Sequence, residues 1–252
     1  MQPWLTPFNP ALCNAVLQAI AQGESAVSLL NAAIAGHTNA HSQPLRCVPH
    51  SELPVGMAYE RFIFDTGRIP TRTRPHSPGA LHDACNALMW LHFPRTKARL
   101  NALQAAAIAA DGITGTRGRL RDALTLFDES ALVLCCPEGD AAPNQLAQRD
   151  WLALLHTRRS DWHRVLKPLL FGHAVLQKLQ TPYPAITAQV WVLHGEFNDL
   201  AHVDAALAAS LTAQLAPAQL LPLPVLGIPQ WWPANSDAAF YDNAAIFRPL
   251  SP

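Results

Sequence analysis

Proline limits every other element that this chain can form. Its 22 prolines in 252 residues stand well above the usual share of about 5%, and they are spread along the whole length. Each lacks an N–H donor and holds φ near about −65°, so helices and central strands end or bend where one falls. The apolar runs are short in consequence. The longest, Ala105 to Ala110 and Ala131 to Cys136, fall far below the roughly 20 residues of a membrane helix. A 50% hydrophobic share nevertheless excludes wholesale disorder. Lys+Arg 18 cancels Asp+Glu 18, so net charge gives no reason to expect a nucleic-acid or membrane partner. The opening MQPWLTPFNP has no basic or apolar leader region, and a cytoplasmic location is the expectation.

Apolar spacing predicts helices over 11–35, 81–93, 95–110, 120–129, 144–158, 162–179 and 199–215. Pro94 suits the first turn of its helix, Pro168 is read as a bend, and Asp199 as a cap. Short strands are expected at 59–64, 131–136 and 186–193, with loops at 36–53 and 67–79. From Pro217 the run LPLPVLGIPQWWP reads as extended chain laid across the body. The expected fold is mainly α (α+β). It is a single helix-rich domain with a few short strands and a packed, Pro-rich C-terminal segment. Its portions are 1–67, 68–216 and 217–252.

The five cysteines, Cys13, Cys47, Cys85, Cys135 and Cys136, are odd in number and form no CxxC pair. A disulfide framework and a thiolate zinc site are therefore not expected. Cys85 reads as a small core residue and Cys135-Cys136 as buried strand residues.

Charge is uneven. From Arg68 to Arg121 nine basic residues face only Asp83 and Asp111. Arg117 and Arg121, beside the glycines at 115 and 118, together with Lys97, form a candidate anion clamp. The P-loop pattern is absent. His82-Asp83 is a candidate catalytic pair, with Asp122 and His173 as further candidates. An adjacent His-Asp pair also forms part of the metal site of helical phosphohydrolases. The preferred reading is plainer: Asp83 pairs with an arginine, and no metal is expected. Asp122, Thr125 and Glu129 share one helical face, where two carboxylates suit acid and base roles. Gly172 in an apolar stretch suggests close approach of another backbone or a ligand, with His173 beside it.

The segments HDACNALMWLHFPRTKARLNALQ, RGRLRDALTLFDES, FGHAVLQKL, PLPVLGIPQWW and FYDNAAIFRP resemble a proteobacterial family of unknown function, number three-zero-two-five in the unknown-function series. The resemblance runs from about Leu81 to Pro249. It implies that His82, Asp83, Asn86, Lys97, Asn101, Arg121, Asp122, Thr125, Asp128, Glu129, His173, Tyr241 and Arg248 match the family's motifs. Gln177 stands where that pattern looks like glutamate, and Gln230 where it looks like glycine. The family carries no reaction.

Two functional expectations follow. One is a hydrolase or transferase acting on an anionic small molecule through a central His/Asp/Arg pocket. His82, Asp83, Asp122 and His173 would be catalytic there, and Lys97, Arg117 and Arg121 would hold the anion. Asn86, Asn101, Thr125, Asp128, Tyr241 and Arg248 would support them. The other is a noncatalytic binding or interaction protein whose polar motifs form a buried structural network. Cofactor and oligomeric state are not readable.

Overall fold

A computed structural model describes residues 2–72, 76–111 and 118–250, with only the backbone of Asp111. Its elements are α1 (Pro10–Ala21), α2 (Val27–Ile34), β1 (Arg46–Pro49), α3 (Tyr59–Thr66), β2 (Arg68–Thr71), α4 (Ala80–His92), α5 (Pro94–Asp111), α6 (Arg119–Ser130), β3 (Ala131–Cys136), α7 (Ala142–Ala147), β4 (Lys167–Leu170), α8 (His173–Lys178), β5 (Thr187–His194), α9 (Leu200–Ser210) and β6 (Leu221–Pro224). The fold is helix-rich α+β. It divides into two compact units. The first gathers 1–7, 129–198 and 218–252, and the second gathers 8–128 and 199–217. The linear portion 68–216 thus contributes to both.

In the second unit α4 is the central helix, packed by α1, α2, α5 and β2. Ala84, Cys85, Ala87, Leu88 and Met89 are fully buried, and the three small residues among them let neighbours approach closely. β1 and β2 pair in parallel, Arg46 opposite Arg68 through Pro49 opposite Thr71. The loops expected at 36–53 and 67–79 therefore contain strands. The helix expected over 11–35 is two helices, because the chain turns through Gly23 at φ 78°. The strand expected at 59–64 is instead the helix α3. Arg61 and Asp65 pair one turn apart at 2.7 Å, and Thr66 Oγ1 donates to the Phe62 carbonyl at 2.6 Å. A six-residue alternation was too short to exclude the helical period.

The helices expected over 81–93, 95–110 and 120–129 match α4, α5 and α6 within two residues. Pro94 opens α5, and the first-turn amides beyond it, which have no partner within the helix, find an acceptor on α9. Asp204, 2% exposed, takes the Arg95 and Thr96 amides at 2.9 Å each and the Thr96 hydroxyl at 2.6 Å. Asp204→Ala leaves two helix-end donors unsatisfied, while the Thr96 hydroxyl keeps the carbonyl of residue 204 at 3.1 Å. The expected cost is about 2 kcal/mol, read as a lower urea midpoint at unchanged slope.

The first unit is built on a sheet of order β4-β3-β5-β6. β3 is buried at every position, lies parallel to β5 and antiparallel to β4. β6 runs antiparallel to β5. The helix expected over 162–179 is a correction: its first half is β4 and only its second half is α8. Pro168 is a strand residue opposite Leu134, not a helix bend. The helix expected over 144–158 is α7 followed by a π-helical turn, Leu152–Thr157. The strand expected at 186–193 and the helix expected from Asp199 are β5 and α9. Asp199 caps α9 by accepting from the His202 amide at 2.8 Å. Both outer strands carry prolines: Pro168 in β4, and Pro222 and Pro224 in β6. At alternate positions of β6, Leu221 and Leu223 keep the amides that can face β5. The Val225 amide continues that row onto the Ile186 carbonyl at 3.0 Å. The prolines fall where no donor is asked for.

Candidate functional site

The second unit draws several motif residues into one buried polar line. Asn86 lies on α4, Lys97 on α5 and Asp128 on α6. Lys97 Nζ donates to Asp128 Oδ1 at 2.5 Å and to Asn86 Oδ1 at 2.7 Å. The two side chains of that ion pair are 4% and 17% exposed. The ammonium also sits 5.5 Å from the centre of the Trp90 ring. Asn86 is used at both ends, since its Nδ2 donates to the Tyr59 hydroxyl at 2.9 Å. Burial, and then the nearby charges of Asp83 and Asp128, push the Tyr59 phenol well above its usual range. The phenol is thus held neutral, as donor and acceptor.

Asp83 is buried one turn from this line, in the arginine pairing expected of it. The partner is Arg72, whose amide donates to Oδ2 at 2.8 Å and whose Nη1 reaches both carboxylate oxygens at 2.9 and 3.0 Å. His82 is half-buried on the same helix. Asn101 is buried on α5 and donates to the Glu60 carbonyl at 2.7 Å, while its Oδ1 has no hydrogen-bond partner.

On α6, Asp122 is exposed, and Arg121 and Thr125 are half-buried. Among the described residues, their side chains make no hydrogen bond to the Lys97 line. Arg117 lies outside the described residues. His173, Tyr241 and Arg248 belong to the first unit. His173 is buried at the first residue of α8. Tyr241 Oη donates toward the Gly227 carbonyl at 2.9 Å and the Asn235 carbonyl at 3.1 Å, fastening the C-terminal turns to one another. Arg248 is exposed. Sequence reading missed Tyr59 and Arg72. The first sits in the misread strand and the second in a stretch read as loop, so neither carried a pattern that would mark it.

The charge of Lys97, a residue expected in an anion clamp, meets Asp128. The close approach suggested at Gly172 is real and its partner is backbone. A Cβ built there would lie 2.6 Å from Glu129 O and from Ser130 C and Cα. Gln230, where the family pattern looks like glycine, takes φ 71°, a conformation glycine adopts without strain.

All five cysteines are free and buried. Burial pushes the thiols of Cys13, Cys47 and Cys136 up to about 11 and that of Cys135 to about 12; Cys85 rises further still. Cys136 Sγ lies 3.6 Å from His194 Nδ1 across the β3–β5 pair, yet burial outweighs that contact. A raised value means a protonated thiol at neutral pH. The native protein should thus leave all five nearly unreactive to Ellman's reagent at pH 7.5, and denaturant should release all five. A fast native thiol would contradict this.

Among the described residues, no group of three or more His, Cys, Asp or Glu is placed to hold a metal ion. Among them, too, no helix is long and apolar enough to cross a membrane.

A helix-rich α+β chain with a buried lysine–carboxylate–amide line defines the kind of protein, and sequence comparison gives the family. Residues 45–251 match the family model described as Protein of unknown function (DUF3025), and the chain belongs to that family. No curated protein and no solved structure matches it.

Proposed function

We propose that this chain is a noncatalytic binding or interaction protein whose polar motifs form a buried structural network. The observation that carries this reading is the Lys97 ammonium, buried and held between Asp128 Oδ1 and Asn86 Oδ1. A hydrolase or transferase acting on an anionic small molecule would need Lys97 to meet the substrate's charge and Asp83 to orient a base. Here Lys97 is neutralised by Asp128, and Asp83 by Arg72. Buried charges paired in this way fix the register of the helices that carry them, and the role proposed for this line is to lock α4, α5 and α6 together.

Lysine acylation tests the reading. The chain has three lysines, and Lys167 and Lys178 are exposed. Brief treatment with an acetylating ester, followed by peptide mass spectrometry, should modify Lys167 and Lys178 and leave Lys97 unmodified. Labelling of Lys97 at a rate like that of the other two would mean an amine open to small molecules, and would return it to the anion-clamp role.

A further inference from the structure

The first unit contains a pocket of about 300 Å³ bounded by Trp151, strand β6 and the chain before Arg248. Its walls are apolar at Trp151, Pro222 and Pro224. Its polar groups are Arg149, Arg248 and Thr187. Among the described residues, no carboxylate lines it, and neither arginine forms an ion pair. The size is at the lower end for small-molecule sites, which combine apolar walls with a few placed polar groups.

The pocket is also built rather than incidental. Trp151 Nε1 donates to the Arg248 carbonyl at 3.0 Å, and Arg149 Nη1 donates to the Pro249 carbonyl at 3.1 Å. Trp151 further meets the Phe247 ring edge-on. These contacts fix the main chain at the rim while leaving the Arg248 guanidinium exposed. Arg149 still has unused donors after its one bond, since a guanidinium carries five. Its backbone is left-handed, at φ 54°, just past the end of α7. Glycine or asparagine usually fills such a place. An arginine there accepts strain and sets its side chain at the pocket wall.

We propose that this pocket binds a small organic anion, a carboxylate or phosphate monoester on a compact apolar body. The anion is forked by Arg248 and Arg149, and the apolar part lies against Trp151 and the two prolines. The site stands on the first unit alone and does not depend on the Lys97 network. Acylation can fail while binding succeeds, and the reverse.

Calorimetric titration of the full chain tests it, with benzoate and phenyl phosphate as probes, benzyl alcohol as neutral control, and ionic strength held constant. The expected result is saturable one-site binding of at least one anion and none of the alcohol. Arg248→Gln should weaken it at least tenfold and Arg121→Gln should leave it unchanged. Among the described residues the exposed Arg248 side chain makes no hydrogen bond or ion pair, so the variant should melt as the wild type does. Absence of saturation with both anions would overturn the proposal. So would wild-type affinity in Arg248→Gln, or loss of binding in Arg121→Gln with Arg248→Gln unaffected.

Discussion

Lys97→Met should destabilise the protein by about 3–5 kcal/mol, because it takes from the largely buried Asp128 carboxylate the ammonium it meets at 2.5 Å. Asn86 Oδ1 loses its donor in the same step. The double variant Lys97→Met, Asp128→Leu should recover most of that loss, since it removes both charges and fills the space with apolar atoms. Urea unfolding of the wild type, both single variants and the double variant closes the cycle. A coupling below about 0.5 kcal/mol would mean a pair screened like a surface salt bridge, and the structural network would lose its central contact.

Gly172→Ala should cost at least the upper part of the roughly 1–3 kcal/mol typical of overpacking. The obstacle is one stretch of main chain: Glu129 O, Ser130 C and Ser130 Cα, each 2.6 Å from the added Cβ. Backbone cannot rotate away as a side-chain tip does. The Gly172 amide is also bonded to the Ala131 carbonyl at 2.7 Å, so the strand cannot simply draw back. At φ −65° any residue would be comfortable, and the cost is therefore steric. Gly139 is the contrast: its φ is 73° but nothing lies within 4 Å of an added Cβ. Gly139→Ala should cost only about 1 kcal/mol of conformational strain. Equal midpoints for the two variants would show that the chain at Gly172 relaxes freely.

Elements with a long, clean period were legible in the residues alone. α4 repeats its apolar positions over three turns, Pro94 marks the junction with the alanine-rich α5, and β3 is an unbroken apolar run. Short elements were not. α3 is barely two turns, and a few alternating residues look alike in either period. β4 was hidden because its proline invites a helix-bend reading, and only the partner strand reveals the hydrogen bonds it does not need. The candidate site divides along the same line. Asn86, Lys97 and Asp128 were picked out as polar residues within family motifs. Their mutual pairing depends on helix packing, which no local pattern encodes. Tyr59 and Arg72 complete the buried network from segments whose backbone was misjudged. Arg149 was invisible because its significance arises from a left-handed turn and from the distant chain that turn meets.

The prolines on both outer strands bear on how this protein can aggregate. A growing fibril adds one chain to the next through rows of free amide donors. At Pro168 on one side, and at Pro222 and Pro224 on the other, the row is interrupted. An incoming strand would find acceptors it cannot match with donors in register. The prolines thus terminate the sheet's growth chemically, with Lys167 the single charge on the two outer strands, in a chain where charged residues are only 14%.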